Sequence, residues 1–159
     1  MGHKDPFEFS KNYTAANGID RFLCGTPPLL GLIALECGVD LVLEAVLKEL
    51  RKKAIKLSVI FIELMERQCN KYGFKLASPI NKSNRAGHVS FRHANGFSVS
   101  RALAADGVIG DFRVPDIIRF GIAPIYTRYQ DVYDAVERIK HVMKLEKWKQ
   151  FDQKVTSYT

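Results

Sequence analysis

Between Asp40 and Tyr72, apolar residues return at every third or fourth position. Leu43, Leu47, Leu50, Ala54, Leu57, Phe61 and Leu64 step by four and three in strict alternation, a seam of three heptads. Glu44–Lys48, Glu49–Lys53 and Glu63–Arg67 are i,i+4 pairs in the favourable order. Asp40 supplies a cap and Gly73 a stop at C′. The spacing predicts one long helix, about 50 Å at 1.5 Å per residue, bending near Ala54. Such a seam forms a coiled coil or packs on a sheet or a neighbouring domain. A shorter helix is predicted over Leu29–Glu36, ended by Gly38. Thr26 stands at its N-cap position and Pro27 at its first residue, where no N–H is needed. Arg21–Cys24 is expected to be extended. Met1–Asp20 shows no period and reads as an irregular arm lying on another surface.

Downstream the period shortens. Phe74–Ser78 reads as a short strand, Ser78–Gly87 as a loop, and His88–His93 as a strand with Val89, Phe91 and His93 on one face. Asn95-Gly96 turns into a helix over Phe97–Ala105. Gly107–Gly110 reads as a short apolar strand and Asp111–Pro115 as a turn into a further strand within Asp116–Thr127. There Ile118, Phe120 and Ile122 share one face, and Ile117, Arg119 and Gly121 the other. Pro124 ends the pairing. A closing helix is expected from Tyr129 or Gln130 to Glu146, with Val132, Ala135, Val136, Ile139, Val142 and Met143 on one side. Trp148 and Phe151 cover the core edge, and the last residues fray. The fold class is α/β (α+β): a long helix and a small, mostly antiparallel sheet under covering helices. Two parts are expected, 1–37 as arm and short helix and 38–159 as a small domain that includes the long helix.

Composition narrows this picture. The chain has 159 residues, 47% hydrophobic and 26% charged, which suits a globular domain and not a disordered one. No apolar run reaches the length of a membrane span, and the polar start is not a signal peptide, so a cytoplasmic protein is expected. Cys24, Cys37 and Cys69 lack Cys-x-x-Cys spacing, and His88 and His93 point to opposite faces. No metal site or disulfide framework is therefore expected. The net charge is +7, with basic residues concentrated in Lys48–Lys56 and Lys140–Lys149. Interleaved acids mark those stretches as solvated helix faces, not a nucleic-acid footprint.

Arg119 is the charge a strand should not carry. Held on a stiff element beside the space left by Gly121, its guanidinium suits bidentate binding of a planar carboxylate. The alternative is an arginine on the solvated face of an edge strand. Thr26 precedes a helix start whose free N–H groups favour an anion such as phosphate; the alternative is a plain structural cap. Lys71, in Lys71-Tyr72-Gly73, lies at the end of a polar helix face. A lysine that forms imines is usually desolvated, so Lys71 is set aside. No full catalytic set is visible.

Three blocks carry a family signal. They are Arg21-Phe-Leu-Cys-Gly-Thr-Pro-Pro, Gly107-Val-Ile-Gly-Asp-Phe-Arg-Val-Pro-Asp-Ile-Ile-Arg-Phe-Gly and Pro124-Ile-Tyr-Thr-Arg-Tyr-Gln-Asp-Val-Tyr-Asp-Ala-Val. In order and spacing they resemble the C-terminal portion of kynureninases. The resemblance implies the small domain of an aspartate-aminotransferase-type fold, with pyridoxal 5′-phosphate as cofactor and a homodimeric full-length protein. It implies hydrolysis of L-kynurenine or 3-hydroxykynurenine to anthranilate or 3-hydroxyanthranilate and L-alanine, a step of tryptophan catabolism. By the same resemblance Thr26 contacts the cofactor phosphate in the partner subunit's site, and Arg119 grips the substrate α-carboxylate. The family's Schiff-base lysine has no counterpart here. The chain is therefore expected to be a piece, or a product of internal initiation, that is inactive alone. The competing readings are the small domain of another pyridoxal-phosphate lyase or desulfurase, and a non-catalytic helical interaction module.

Overall fold

The computed structural model of the chain describes residues 2–151. They fall into two compact units that part between Glu44 and Ala45. No helix among the described residues is long and apolar enough to cross a membrane. The fraying expected at the last residues concerns positions outside the described range.

The first unit holds the arm and helix α1 (Leu29–Glu44). The arm is irregular, as its lack of period implies, and is closed by hydrogen bonds from Gly2 N–H to the Arg21 carbonyl at 2.9 Å and from Lys4 N–H to the Thr14 carbonyl at 2.8 Å. Arg21–Cys24 is not extended throughout: a 3-10 turn runs over Gly18–Phe22. Helix α1 starts at Leu29, the first residue of the predicted range, but beyond the expected cap Thr26 and first residue Pro27. The Pro28 carbonyl accepts the Leu32 N–H at 3.0 Å, so Thr26 is not the cap residue. The helix also runs through Gly38. One glycine costs about 1 kcal/mol of helix propensity, and the Leu, Ala and Glu around it offset that. The break falls instead at Ala45-Val46, where Val46 is extended (φ −71°, ψ 104°). The expected single long helix is thus two. Apart from Glu36, Asp40 and Glu44, which step by four, α1 is uncharged, and none of its residues is buried.

The second unit carries the core. Helix α2 (Leu47–Cys69) buries Ala54, Leu57, Ser58, Phe61, Ile62, Met65 and Cys69 along one face. The heptad seam is therefore real at Ala54, Leu57 and Phe61, partly covered at Leu50 and Leu64, and exposed at Leu43 and Leu47. It packs within its own unit, against helix α4 (Tyr129–Lys144) and the sheet. Helix α4 presents Val132, Val136, Ile139, Val142 and Met143 to the same core. A 3-10 turn over Asn70–Tyr72 ends α2, and Gly73 at φ 92° makes the predicted stop in a conformation that favours glycine.

The sheet has four strands in the order β1-β2-β4-β3, every neighbour antiparallel. They are β1 (Lys75–Leu76), β2 (His88–Arg92), β3 (Asp111–Arg113) and β4 (Ile117–Gly121), with helix α3 (Gly96–Ala105) between β2 and β3. The predicted strand at Gly107–Gly110 is a connecting segment in which Val108 is buried and Ile109 is exposed. The strand lies in the next three residues, where the sequence pattern predicts a turn. Its partner is β4, with Asp111 opposite Arg119 and Arg113 opposite Ile117. Alternation places Val89, Phe91, Ile118 and Phe120 on the covered face, where Phe61 of α2 meets Phe91 and Phe120 edge-on at 6.0 and 5.1 Å. Trp148 and Phe151 pack against this core as expected.

Two buried polar side chains stitch the second unit. Arg85 donates from Nη1 to the carbonyls of Pro79 (2.8 Å) and Ile80 (2.7 Å), closing the loop before β2. His93 accepts the Asn95 N–H at Nδ1 (3.0 Å) and lies 3.0 Å from the Tyr72 carbonyl through Nε2. That pairing fixes the neutral tautomer with the proton on Nε2. Burial pushes its pKa below the ordinary 6.5.

Candidate functional site

The face of the sheet turned away from the core carries the charge. Its residues follow from strand parity: Lys75 on β1, His88, Ser90 and Arg92 on β2, Arg119 on β4, Asp111 and Arg113 on β3. Register lines them up in rows. Asp111, Arg119 and Ser90 form one; Arg113, Ile117, Arg92 and Lys75 form the next. Cations outnumber acids on this face, so it favours anions.

Arg119 sits at the centre of the sheet, not on an edge strand, because β3 pairs along its outer side. The guanidinium pairs with the Asp111 carboxylate through Nη2. The same carboxylate oxygen, Oδ2, takes a second ion pair from Arg113 Nη2 at 3.0 Å. The Arg119 side chain keeps 37% of its exposure. A Cβ added to Gly121 would meet nothing within 4 Å, so the space expected beside Arg119 is open. Gly110 has the opposite duty: a Cβ there would lie 3.2 Å from the Arg119 carbonyl oxygen and 3.5 Å from the Phe120 ring. Its absence lets β3 begin close against β4. Across β2, Arg92 Nη1 reaches both Asp116 carboxylate oxygens at 3.1 Å, anchoring the turn that leads into β4.

An open cleft of about 640 Å³ lies elsewhere, at the end of β4, between Val108-Ile109, Tyr126 and Arg138. Arg119 does not line it. Among the described residues no group of three metal-ligating side chains converges. Thr26 belongs to the first unit and is described by itself: it is exposed in the segment before α1, and its hydroxyl has no protein partner among the described residues. It can donate to an anionic oxygen. No described lysine is buried; Lys71 is exposed and lies 5.2 Å from the centroid of the Tyr72 ring. Cys69 is buried, and desolvation pushes its thiol up to about 11, which leaves it unreactive.

Residues 50–139, more than half of the chain, match the family model described as the kynureninase C-terminal domain. The chain belongs to that family. Asp111, Arg113 and Arg119 fall inside the kynureninase C-terminal domain match and Thr26 ahead of it. Kynureninase of Pseudomonas fluorescens is 40% identical over 150 residues, covering 94% of this chain and 36% of the relative. Kynureninase of Burkholderia mallei (strain SAVP1) is 40% identical over 148 residues, covering 93% and 36%. The chain thus spans about a third of the length of these curated relatives. Among solved structures, a NifS-like protein superposes with a TM-score of 0.63 at 17% identity, over 83% of this chain and 38% of that one. At that identity the likeness shows the fold alone.

Sequence reasoning misses Asp111 and Arg113. They sit in a stretch that reads as a turn, and only the register of β3 on β4 brings them to Arg119. The signal that could have found them is the parity of Asp-Phe-Arg, charged on one face and aromatic on the other.

Proposed function

We propose that the chain is the C-terminal part of a pyridoxal 5′-phosphate-dependent enzyme that hydrolyses L-kynurenine or 3-hydroxykynurenine, releasing L-alanine. The observation that carries this reading is a half-exposed guanidinium on the uncovered face of a rigid, helix-backed sheet. Within the reading, Arg119 grips the substrate α-carboxylate by paired N–H···O bonds and so fixes the direction of the bonds at the amino carbon. Thr26 donates its hydroxyl to the cofactor phosphate, in the site of the partner subunit of a homodimer. Pyridoxal phosphate, when bound, supplies an electron sink beside the substrate's amino carbon. The described residues meet some of these needs and not others. They offer a free hydroxyl for an anionic oxygen and a cation for a carboxylate, but no desolvated lysine to bond the cofactor. Helix α1 agrees with a larger protein, since an almost uncharged helix with Leu30 84% and Leu43 75% exposed resembles one that is covered in the complete assembly.

The test is release of fluorescent anthranilate from L-kynurenine with pyridoxal phosphate present. The 159-residue chain alone should release none. The full-length enzyme containing it should turn over, with Arg119→Lys raising KM at least tenfold. Turnover by the isolated chain, or an Arg119→Lys enzyme with unchanged KM, would refute the reading.

A further inference from the structure

Taking Arg119 as the carboxylate grip, as above, we propose that Asp111 is the positioning residue that aims its guanidinium, and that Arg113 cancels the charge Asp111 brings. Asp111 lies directly across the β3–β4 ladder from Arg119, so its carboxylate needs no reorganisation to reach Nη2. It engages that nitrogen only. Nε and Nη1 of Arg119 have no protein partner among the described residues, so most of the guanidinium's donors stay available for a second carboxylate. A long, unpinned arginine would lose rotamer freedom each time a ligand bound. One held from the neighbouring strand has lost it already.

A carboxylate beside Arg119 would by itself neutralise the cation that the substrate must find. Arg113 removes that conflict. It stands on the same face of β3, two residues on, and its Nη2 reaches the same Asp111 oxygen at 3.0 Å. Two guanidiniums and one carboxylate sum to a single positive charge, matched to one substrate carboxylate. Gly110 supports the arrangement, because a side chain there would push β3 away from the Arg119 backbone.

The experiment uses the full-length enzyme and compares KM and kcat for L-kynurenine in Asp111→Asn, Arg119→Lys and the double variant. The neutral α-amide of L-kynurenine serves as a competing ligand without the carboxylate. Asp111→Asn should raise KM about tenfold while kcat moves less than threefold and binding of the amide is unchanged. In the Arg119→Lys background the same substitution should do nothing further, since it acts through the guanidinium. An unchanged KM, or an equal rise in both backgrounds, would make the ion pair merely structural and overturn the proposal. Arg119→Lys without effect would instead bring down the reading of Arg119 itself, and Asp111's role with it. Should Asp111→Asn fail to fold, Arg113→Gln decides. This more exposed change should raise KM for kynurenine at least threefold and leave the amide alone, and equal effects on both ligands would refute the charge argument.

Discussion

Replacing Leu57 by alanine tests where the heptad seam does its packing. Leu57 is fully buried in the core between α2, α4 and the sheet, whereas Leu47, ten residues earlier in the same seam, is 71% exposed. Leu→Ala deletes three carbon atoms. At about 0.8 kcal/mol per buried methylene the transfer loss is roughly 2.5 kcal/mol. The cavity left among Phe61, Val136 and their neighbours brings the expected cost to about 3–4 kcal/mol. At Leu47 the same change should cost less than about 0.5 kcal/mol. For a unit of this size 1 kcal/mol is about 4 °C, so Leu57→Ala should lower Tm by about 12 °C and Leu47→Ala by about 2 °C or less. Urea unfolding followed by far-ultraviolet circular dichroism reads both. Equal losses at the two positions, or a larger one at Leu47, would mean that the seam serves a helical partner instead of the chain's own sheet.

Two further outcomes follow from the buried groups. His93 has its pKa lowered by burial, so the unfolded chain takes up a proton near 6.5 before the folded one does. Its contribution is complete above about pH 6.5 and is lost as pH falls from there toward the lowered folded value. Unfolding free energy measured at pH 7.5 and 5.5 should fall more for the wild type than for His93→Gln; an identical fall would remove His93 as the cause. Cys69, pushed up to about 11, should resist a thiol reagent at pH 8 while exposed Cys24 and Cys37 react. Labelling at Cys69 under native conditions at the same rate would contradict its burial.

What can be read from the sequence is local. The alternation of Ile118, Phe120 and Ile122 places Arg119 on the outer face of its strand because period two survives a single charged residue. The closing helix and the stop at Gly73 follow for the same reason, each resting on neighbours within a turn. The errors arise where distant pairing decides. Asp-Phe-Arg offers one apolar residue between two charges, too little to announce a strand, and becomes β3 only because β4 hydrogen-bonds to it. The same pairing puts Arg119 inside the sheet and so removes the alternative of an edge strand. Gly38 misleads for another reason: a helix surrounded by strong formers absorbs a single glycine. Thr26 keeps its chemistry while losing its place as a cap, since the helix begins beyond both prolines.

The sheet divides labour by parity. In β4 the even positions hold the fold together and the odd ones face outward; in β2 the assignment is reversed, with Val89 and Phe91 inside and Ser90 and Arg92 outside. Evolution can therefore rewrite the chemistry of one surface at little cost in folding, one residue at a time. Saturation mutagenesis of these strands should sort into interleaved classes: alternate positions where variants vanish from the cell, and positions between them where protein accumulates but does something different.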